Sequence, residues 1–245
     1  MLTVLSPARN VKPFTPEGIL VEKPLFLNET GAILAVLREK VPWELESLLD
    51  LDAEKALVMF ENYREIDMRA PGTAMLSSFY GAAFRAMDAS AFTPEDWGFA
   101  QAHLRVFSAL YGLLRPKDGI LKHRLGLGGL ELCGKDLYAF WGGKIHEELF
   151  REGAELLNIA SQDYFKLIKP FLRPDDRVTH CRFLMRRRGG LGATVAGVRL
   201  ARGWMARYIV KERIDAPEGV KGFDEDGYRF NAGLSDAKTL VFVRE

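Results

Sequence analysis

Short hydrophobic runs bounded by turn-forming residues recur along the chain and predict buried strands. The first is Leu2–Leu5, which ends at Ser6-Pro7. The same pattern predicts further strands at residues 73–79, 156–159 and 239–243. A glycine-rich turn at residues 188–192 joins two further apolar stretches, 178–187 and 193–198, and predicts a hairpin.

Helices are predicted where apolar residues recur every three to four positions behind a capping residue. Thr93 followed by Pro94 is a typical helix start, and the apolar stripe behind it predicts a helix to about Leu114. Asp52 caps a second predicted helix that ends near Arg64. Other helices are predicted at 29–40, from Pro42 onward, and at 82–87, 142–152, 161–168 and 199–214.

The order of these elements indicates the class of fold. Strands and helices are mixed without regular alternation, and no repeat or linker divides the chain. With 245 residues the chain is long enough to bury a core without disulfides or metal. We therefore predict an α+β (mixed α/β) fold: a single interlocked domain over residues 1–245, with a mixed sheet, surrounding helices and a basic cleft.

The ends and the cysteines indicate a compartment. No basic leader precedes an apolar run, and no stretch approaches about 18 consecutive apolar residues. Cys133 and Cys181 stand alone, which argues against a disulfide scaffold. We therefore expect a cytoplasmic protein without a membrane partner. Of the two thiols, Cys181 is the better candidate for redox sensing, because the neighbouring arginines would lower its pKa.

The total charge is nearly balanced, but acidic and basic residues are unevenly distributed along the chain. The chain holds 34 Lys+Arg and 33 Asp+Glu, which excludes indiscriminate coating of DNA by bulk charge. Residues 39–67 contain nine acids and three bases, whereas residues 177–213 contain ten bases and one acid. A helical wheel of 199–214 puts its basic residues on one half. Two interpretations remain open, a solvated surface helix and a phosphate-binding face.

Familiar cofactor and metal motifs are absent, and we predict neither a cofactor nor a metal site. No P-loop, dinucleotide-binding fingerprint or HExxH appears, and the four histidines have no paired ligand spacing. Three blocks are nevertheless dense in polar and aromatic residues. They contain His103, Tyr138, and the group Ser161, Tyr164 and Lys166. Each block is explained by core packing or helix capping, or alternatively by a binding site.

Taken together, several blocks resemble the YaaA-type peroxide stress resistance proteins, and the resemblance spans nearly the whole chain. The blocks that carry it are residues 5–9, 100–118, 123–125, 137–142, 158–166, 201–209 and 227–230. The resemblance implies a bacterial protein of the hydrogen peroxide response that limits unincorporated iron. It also implies a positively charged cleft, a helix-hairpin-helix-like element and binding to double-stranded DNA.

The leading hypothesis is a monomeric DNA-binding protein that contacts the phosphate backbone without strong sequence preference. The expected phosphate contacts are Arg9, Arg105, Arg115, Arg124, Lys166, Arg199, Arg202 and Arg207. The expected pocket residues are Ser6, His103, Tyr138, Asn158, Ser161 and Tyr164. An enzyme acting on a nucleotide through His103, Ser161, Tyr164 and Lys166 remains the alternative, and any small-molecule ligand is undefined. An iron-binding protein is a third hypothesis.

Overall fold

The computed structural model describes residues 1–151 and 153–245, and the counts below refer to these residues. Nine α-helices are present: α1 (Leu27–Glu39), α2 (Pro42–Leu49), α3 (Ala53–Glu65), α4 (Met75–Ser78), α5 (Ala82–Met87), α6 (Pro94–His103), α7 (Leu137–Phe150), α8 (Gln162–Phe165) and α9 (Val195–Lys211). Fifteen strands are present: β1 (Leu2–Leu5), β2 (Asn10–Val11), β3 (Thr73–Ala74), β4 (Phe79–Tyr80), β5 (Leu104–Ser108), β6 (Gly112–Leu114), β7 (Gly119–Ile120), β8 (Glu131–Leu132), β9 (Lys135–Asp136), β10 (Leu156–Asn158), β11 (Val178–Arg187), β12 (Gly190–Gly192), β13 (Asp224–Glu225), β14 (Tyr228–Phe230) and β15 (Thr239–Arg244).

A mixed sheet of nine strands forms the centre of the molecule. Its order is β13-β14-β15-β11-β10-β1-β5-β6, and β12 pairs with β11 as a hairpin. The five strands from β15 to β5 run parallel, and the strands at the edges run antiparallel. Helices surround this sheet, so the predicted α+β class with a mixed sheet is confirmed. No helix in the described ranges is long and apolar enough to cross a membrane.

The central strands are short apolar runs because neighbours and helices cover both of their faces. Val4 of β1 lies between Asn158 of β10 and Arg105 of β5, and Val4 itself is fully buried. Val106 and Leu156 on the flanking strands are equally buried. The core therefore runs along the line β10-β1-β5, and the residues that follow these strands lie together at one edge of the sheet.

The chain leaves two adjacent strands of the sheet in opposite directions. After β1 it continues towards β5, whereas after β10 it continues towards β11 on the other side. In open α/β sheets, ligands bind outside the carboxyl ends of the strands at such a point. The residues that follow β1 and β10 therefore occupy the position where a site is expected.

The predicted helix from Thr93 to about Leu114 was wrong in its second half. The helix ends at His103, and residues 104–108 and 112–114 form the antiparallel strands β5 and β6. The apolar stripe that suggested a helix is a nearly continuous apolar run, which also suits a strand buried on both faces. Gly112 allows the turn between them with φ of +71°, close under the ring of Trp141.

Four other predicted elements also differ from the structure in type or in bounds. The predicted strand 73–79 is a short helix, α4, between two two-residue strands. The hairpin at 188–192 is confirmed, but its second strand ends at Gly192. Thr194 then caps α9 by accepting a hydrogen bond from Gly197 N, so the helix predicted at 199–214 covers 195–211. The helix predicted at 142–152 begins earlier, at Leu137, and residue 152 lies outside the described residues.

Candidate nucleic-acid interface

Two serines join the carboxyl ends of β1 and β10. The Ser6 hydroxyl donates to Ser161 Oγ at 3.1 Å, and Ser161 N donates to Ser6 Oγ at 2.8 Å. Ser161 Oγ also caps α8 by accepting from Tyr164 N at 3.5 Å. Beside them, Asn158 Oδ1 accepts from Ala160 N at 2.9 Å. The predicted pocket residues Ser6, Asn158 and Ser161 are therefore close neighbours, and their hydrogen bonds fix the two strand ends.

Two tyrosines extend this polar cluster. Burial and, to a smaller degree, nearby Tyr138 raise the pKa of Tyr164 to about 12, while Arg9 acts in the opposite direction. The Tyr164 ring also stacks on Phe107 at 6.5 Å between centroids. Lys166 lies outside this packed group and pairs with Asp163 at 3.1 Å, with both side chains exposed. Tyr164 therefore lies beside Ser161, and Tyr138 and Arg9 are close enough to Tyr164 to influence its pKa.

Three other predicted site residues lie near the opposite edge of the sheet. His103 precedes β5, and its Nδ1 donates to Met1 O at 2.9 Å, at the start of β1. Met1 and Ser6 are separated by the length of β1, roughly 16 Å at 3.3 Å per residue. Arg105 donates to two carbonyls, and Arg115 binds Asp118 and Glu22. Structural hydrogen bonds and ion pairs therefore hold both guanidinium groups.

The four-residue catalytic pocket of the alternative hypothesis is not assembled. His103 stacks on Phe99 at the amino edge, while Ser161 and Tyr164 lie at the carboxyl edge. The histidine that does lie near the cluster is His180, whose Nδ1 accepts from Asn158 Nδ2 at 2.9 Å. Burial lowers the pKa of His180. Among the residues described, no three His, Cys, Asp or Glu side chains form a metal-binding group.

Arg9 and Arg124 converge on the loop between α2 and α3. Arg124 donates to the carbonyls of Leu49 and Asp50 and to Asn10 Oδ1. Arg9 NH1 donates to Asp50 Oδ2 at 3.1 Å. Helices α2 and α3 pack against each other and are joined by the short loop of residues 50–52. This loop carries the carboxylates of Asp50 and Asp52, which pair with Arg9 and Lys55.

The basic face of α9 consists of two parts with different surroundings. At the far end, Lys211 and Arg213 both bind Asp96 of α6, at 2.6 Å and 2.7 Å. Along the sequence, this region lacks acidic residues that could pair with its cations. Folding supplies one, because it brings Asp96 into contact with Lys211, which lies 115 positions away along the chain. Arg199 and Arg207, which precede Lys211 in the helix, have no acidic partner within the described part of the chain.

Helix α5 packs against α9 and adds cations that the sequence pattern did not reveal. A Cβ on Gly203 of α9 would lie 2.0 Å from Ala83 O, so the two backbones are in direct contact. Next to α5, Tyr80 is exposed, with Lys12 Nζ 4.0 Å and Arg85 Cζ 5.4 Å from its ring centroid. We call the following set the α5–α9 basic surface: Lys12, Tyr80, Arg85, Arg199, Arg202 and Arg207.

The two cysteines lie in different environments. Cys133 is exposed in the turn between β8 and β9. Burial raises the pKa of the Cys181 thiol, so the neighbouring arginines do not activate it. The redox-sensing alternative for Cys181 is therefore not supported, because desolvation outweighs the charges that lie beside it in sequence.

Comparison with known proteins identifies the family. The family model "Peroxide stress protein YaaA" matches residues 1–234. The chain is 37% identical over 257 residues to a UPF0246 protein of Burkholderia mallei, covering all of this chain and 98% of that protein. It is 34% identical over 256 residues to a UPF0246 protein of Saccharophagus degradans, covering both chains completely. The chain therefore belongs to the YaaA family of peroxide stress proteins.

Proposed function

We propose that this peroxide stress protein binds duplex DNA through the α5–α9 basic surface. Binding rests on phosphate contacts and has no strong sequence preference, because the surface offers charge without an array of base-reading groups. In the peroxide response, such binding keeps the protein at DNA, which iron-driven oxidation damages.

The main support for the proposal is the environment of Arg202. Its Nε is buried without any hydrogen-bond partner. Burial and, to a smaller degree, the neighbouring charge of Arg199 lower the pKa of Arg202 to about 10. No acid pairs with Arg202 in the described ranges. A partly buried cation without a counterion is costly, and an incoming phosphate provides the missing countercharge.

The surroundings of Arg202 extend the charge over a length that suits a duplex. Strand β11 continues seven residues past His180, which is level with the end of β10. Beyond the end of β10, β11 therefore extends by roughly 23 Å at 3.3 Å per residue, paired with β15 as far as Met185. The exposed tip of the hairpin carries Arg187 and Arg188. Hairpin, α9 and α5 thus offer cations in succession, and long rows of cations release many counterions from DNA.

Not all predicted phosphate contacts belong to this proposal. Arg199, Arg202 and Arg207 lie on the α5–α9 basic surface. Arg9 is connected to it, because its neighbour Ala8 packs against Gly81 at the start of α5. Four further predicted contacts lie apart from this surface. Arg124 binds the α2–α3 loop and Lys166 pairs with Asp163, whereas Arg105 binds backbone carbonyls and Arg115 pairs with Asp118.

Replacing two exposed cations, Arg85→Gln with Arg199→Gln, should weaken duplex binding about tenfold or more at moderate salt. The slope of log affinity against log salt should fall by about 2, because two counterion-releasing contacts are lost. Fluorescence anisotropy with a labelled 20-base-pair duplex at several salt concentrations measures both quantities. Arg69→Gln, an exposed arginine next to Asp67, is the matched control. Salt-independent affinity, or equal loss in the control, contradicts the proposal.

Arg202→Met should change stability and binding in opposite directions. Methionine keeps most of the side-chain volume and removes the unpaired buried charge, so the free energy of unfolding should rise by about 1 kcal/mol. Duplex affinity should fall about tenfold, since a charge-assisted hydrogen bond to phosphate is lost. Urea denaturation and duplex titration of the same sample test the pair of effects. A purely structural role for Arg202 predicts lower stability instead.

A further inference from the structure

A second cation-lined feature lies outside the α5–α9 basic surface. It is a cavity of about 220 Å³ between α3 and the segments 9–11 and 122–124. Four cations line it: Arg9, Lys55, Lys122 and Arg124. Its size is below the 300–1,000 Å³ that is usual for drug-sized ligands, so its occupant is small.

Two of these cations remain available to an anion. Asp50 pairs with Arg9, and Asp52 pairs with Lys55. Lys122 and Arg124 have no acidic partner in residues 1–151 and 153–245. Three of the five N–H groups of Arg124 bind Leu49 O, Asp50 O and Asn10 Oδ1, which fixes its guanidinium plane. The other two N–H groups are thereby held in place before any ligand arrives.

A buried histidine supplies the third feature. His123 is only 7% exposed and lines the cavity. Its ring is fixed by edge contacts to Phe79 and Tyr111 and by donation from Nδ1 to Leu121 O at 2.7 Å. Burial lowers the pKa of His123 to about 4, so the ring is neutral. Because Nδ1 carries the proton, Nε2 is an acceptor, and no described residue donates to it.

We propose that this cavity binds a small phosphorylated polyol, such as a pentose phosphate, with its phosphate on Lys122 and Arg124 and a hydroxyl donated to His123 Nε2. A phosphate dianion matches two cations without carboxylate partners, and Arg binds phosphate in a planar, bidentate manner. The ligand hydroxyl donates a hydrogen bond to His123 Nε2, which receives none from the described residues. The aliphatic side chains of Leu51, Val58 and Met59, which also line the cavity, contact the C–H face of the sugar. This proposal is independent of DNA binding at the α5–α9 basic surface.

Calorimetric titration with ribose 5-phosphate, inorganic phosphate and ribose tests the proposal on the full chain. Ribose 5-phosphate should bind most tightly, and ribose should not bind, because the charge supplies most of the attraction. Lys122→Gln changes an exposed side chain and should weaken ribose 5-phosphate and inorganic phosphate alike, about tenfold. Lys135→Gln, another exposed lysine, is the control and should change neither affinity.

His123→Asn separates the hydroxyl contact from the phosphate contact. Asparagine keeps a donor near the position of Nδ1 and removes the acceptor at Nε2. Affinity for ribose 5-phosphate should fall about fivefold, while affinity for inorganic phosphate stays unchanged. Equal affinities of wild type and Lys122→Gln for ribose 5-phosphate, or no binding at all, would overturn the proposal even if His123→Asn fails to fold.

A duplex with a 5′-phosphate carries the same chemistry as a free sugar phosphate, and a competition experiment distinguishes the two. If the site takes the free molecule, saturating ribose 5-phosphate should leave duplex affinity unchanged, and Lys122→Gln should too. If Lys122→Gln instead weakens only the 5′-phosphorylated duplex and ribose 5-phosphate does not bind, the cavity holds a DNA end and the proposal is wrong. Arg85→Gln with Arg199→Gln should leave ribose 5-phosphate binding intact, so the two proposals fail separately.

Discussion

Gly203→Ala should lower the free energy of unfolding by about 3 kcal/mol and reduce duplex binding with it. A Cβ at this position would lie 2.0 Å from Ala83 O and 2.8 Å from Ala86 Cβ. The first contact is with a backbone atom, so no rotamer change relieves it and α5 has to move away from α9. Alanine's better helix propensity, about 1 kcal/mol, does not offset that displacement. Urea denaturation measures the loss directly.

Gly98→Ala in α6 is the matched control for this prediction. Gly98 is also a helical glycine, but a Cβ there meets no atom within 4 Å. The substitution should therefore raise the free energy of unfolding by about 0.5–1 kcal/mol through helix propensity alone. If both variants are stabilised to the same degree, α5 and α9 do not pack as described, and the α5–α9 basic surface loses its structural basis.

Local signals in the sequence predicted the helix starts well. The caps at Asp52, Thr93 and Ser161 are all present, because a capping side chain and the N–H that it accepts are three residues apart. The first strand and the hairpin at 188–192 were also predicted from local signals, because turn-forming residues end the strand and form the turn of the hairpin. The N-cap Thr194 was missed, since the apolar run that follows it also suited a strand.

Non-local packing explains where the prediction of the fold failed. Leu104–Ser108 forms the strand next to β1 because both of its faces are covered there. The same apolar run carries a helical stripe when considered alone, so periodicity could not decide between the two structures. The strand pairing that decides it joins Thr3 to Leu104, about a hundred positions apart along the chain.

The candidate site was predicted residue by residue but not as an arrangement. Sequence blocks selected both His103 and Ser161, and only the direction of β1 shows that they lie at opposite edges of the sheet. The cations around Tyr80 were missed because Lys12 and Arg85 lie on different elements. Neither could the sequence show that Arg202 is buried without a partner, since that depends on the packing of α9.

Asp96→Asn should lower the free energy of unfolding by about 3 kcal/mol at neutral pH. The Asp96 side chain is nearly fully buried and accepts from Thr93 N, Lys211 Nζ and Arg213 NH1. Asparagine has the same shape, but it removes the negative charge and turns an NH₂ group towards one of the cations. The variant therefore leaves Lys211 and Arg213 facing each other without a counterion, at the end of the helix that carries the basic surface.

The effect of Asp96 should also depend on pH in a defined window. Burial favours a higher pKa, but hydrogen bonds from Lys211, Thr93 N and Arg213 prevail and lower the pKa of Asp96 from 3.8 to about 2. Its carboxylate stabilises the fold fully above pH 4, and this contribution, about 2 kcal/mol, is lost as pH falls through 2. The stability difference between wild type and Asp96→Asn should therefore shrink from pH 4 to pH 2 in urea denaturation. Asp163→Asn, which breaks an exposed pair, should cost less than about 0.5 kcal/mol at every pH. A wild-type advantage over Asp96→Asn that stays constant from pH 7 to pH 2 would show that its charge does not hold α6 against α9.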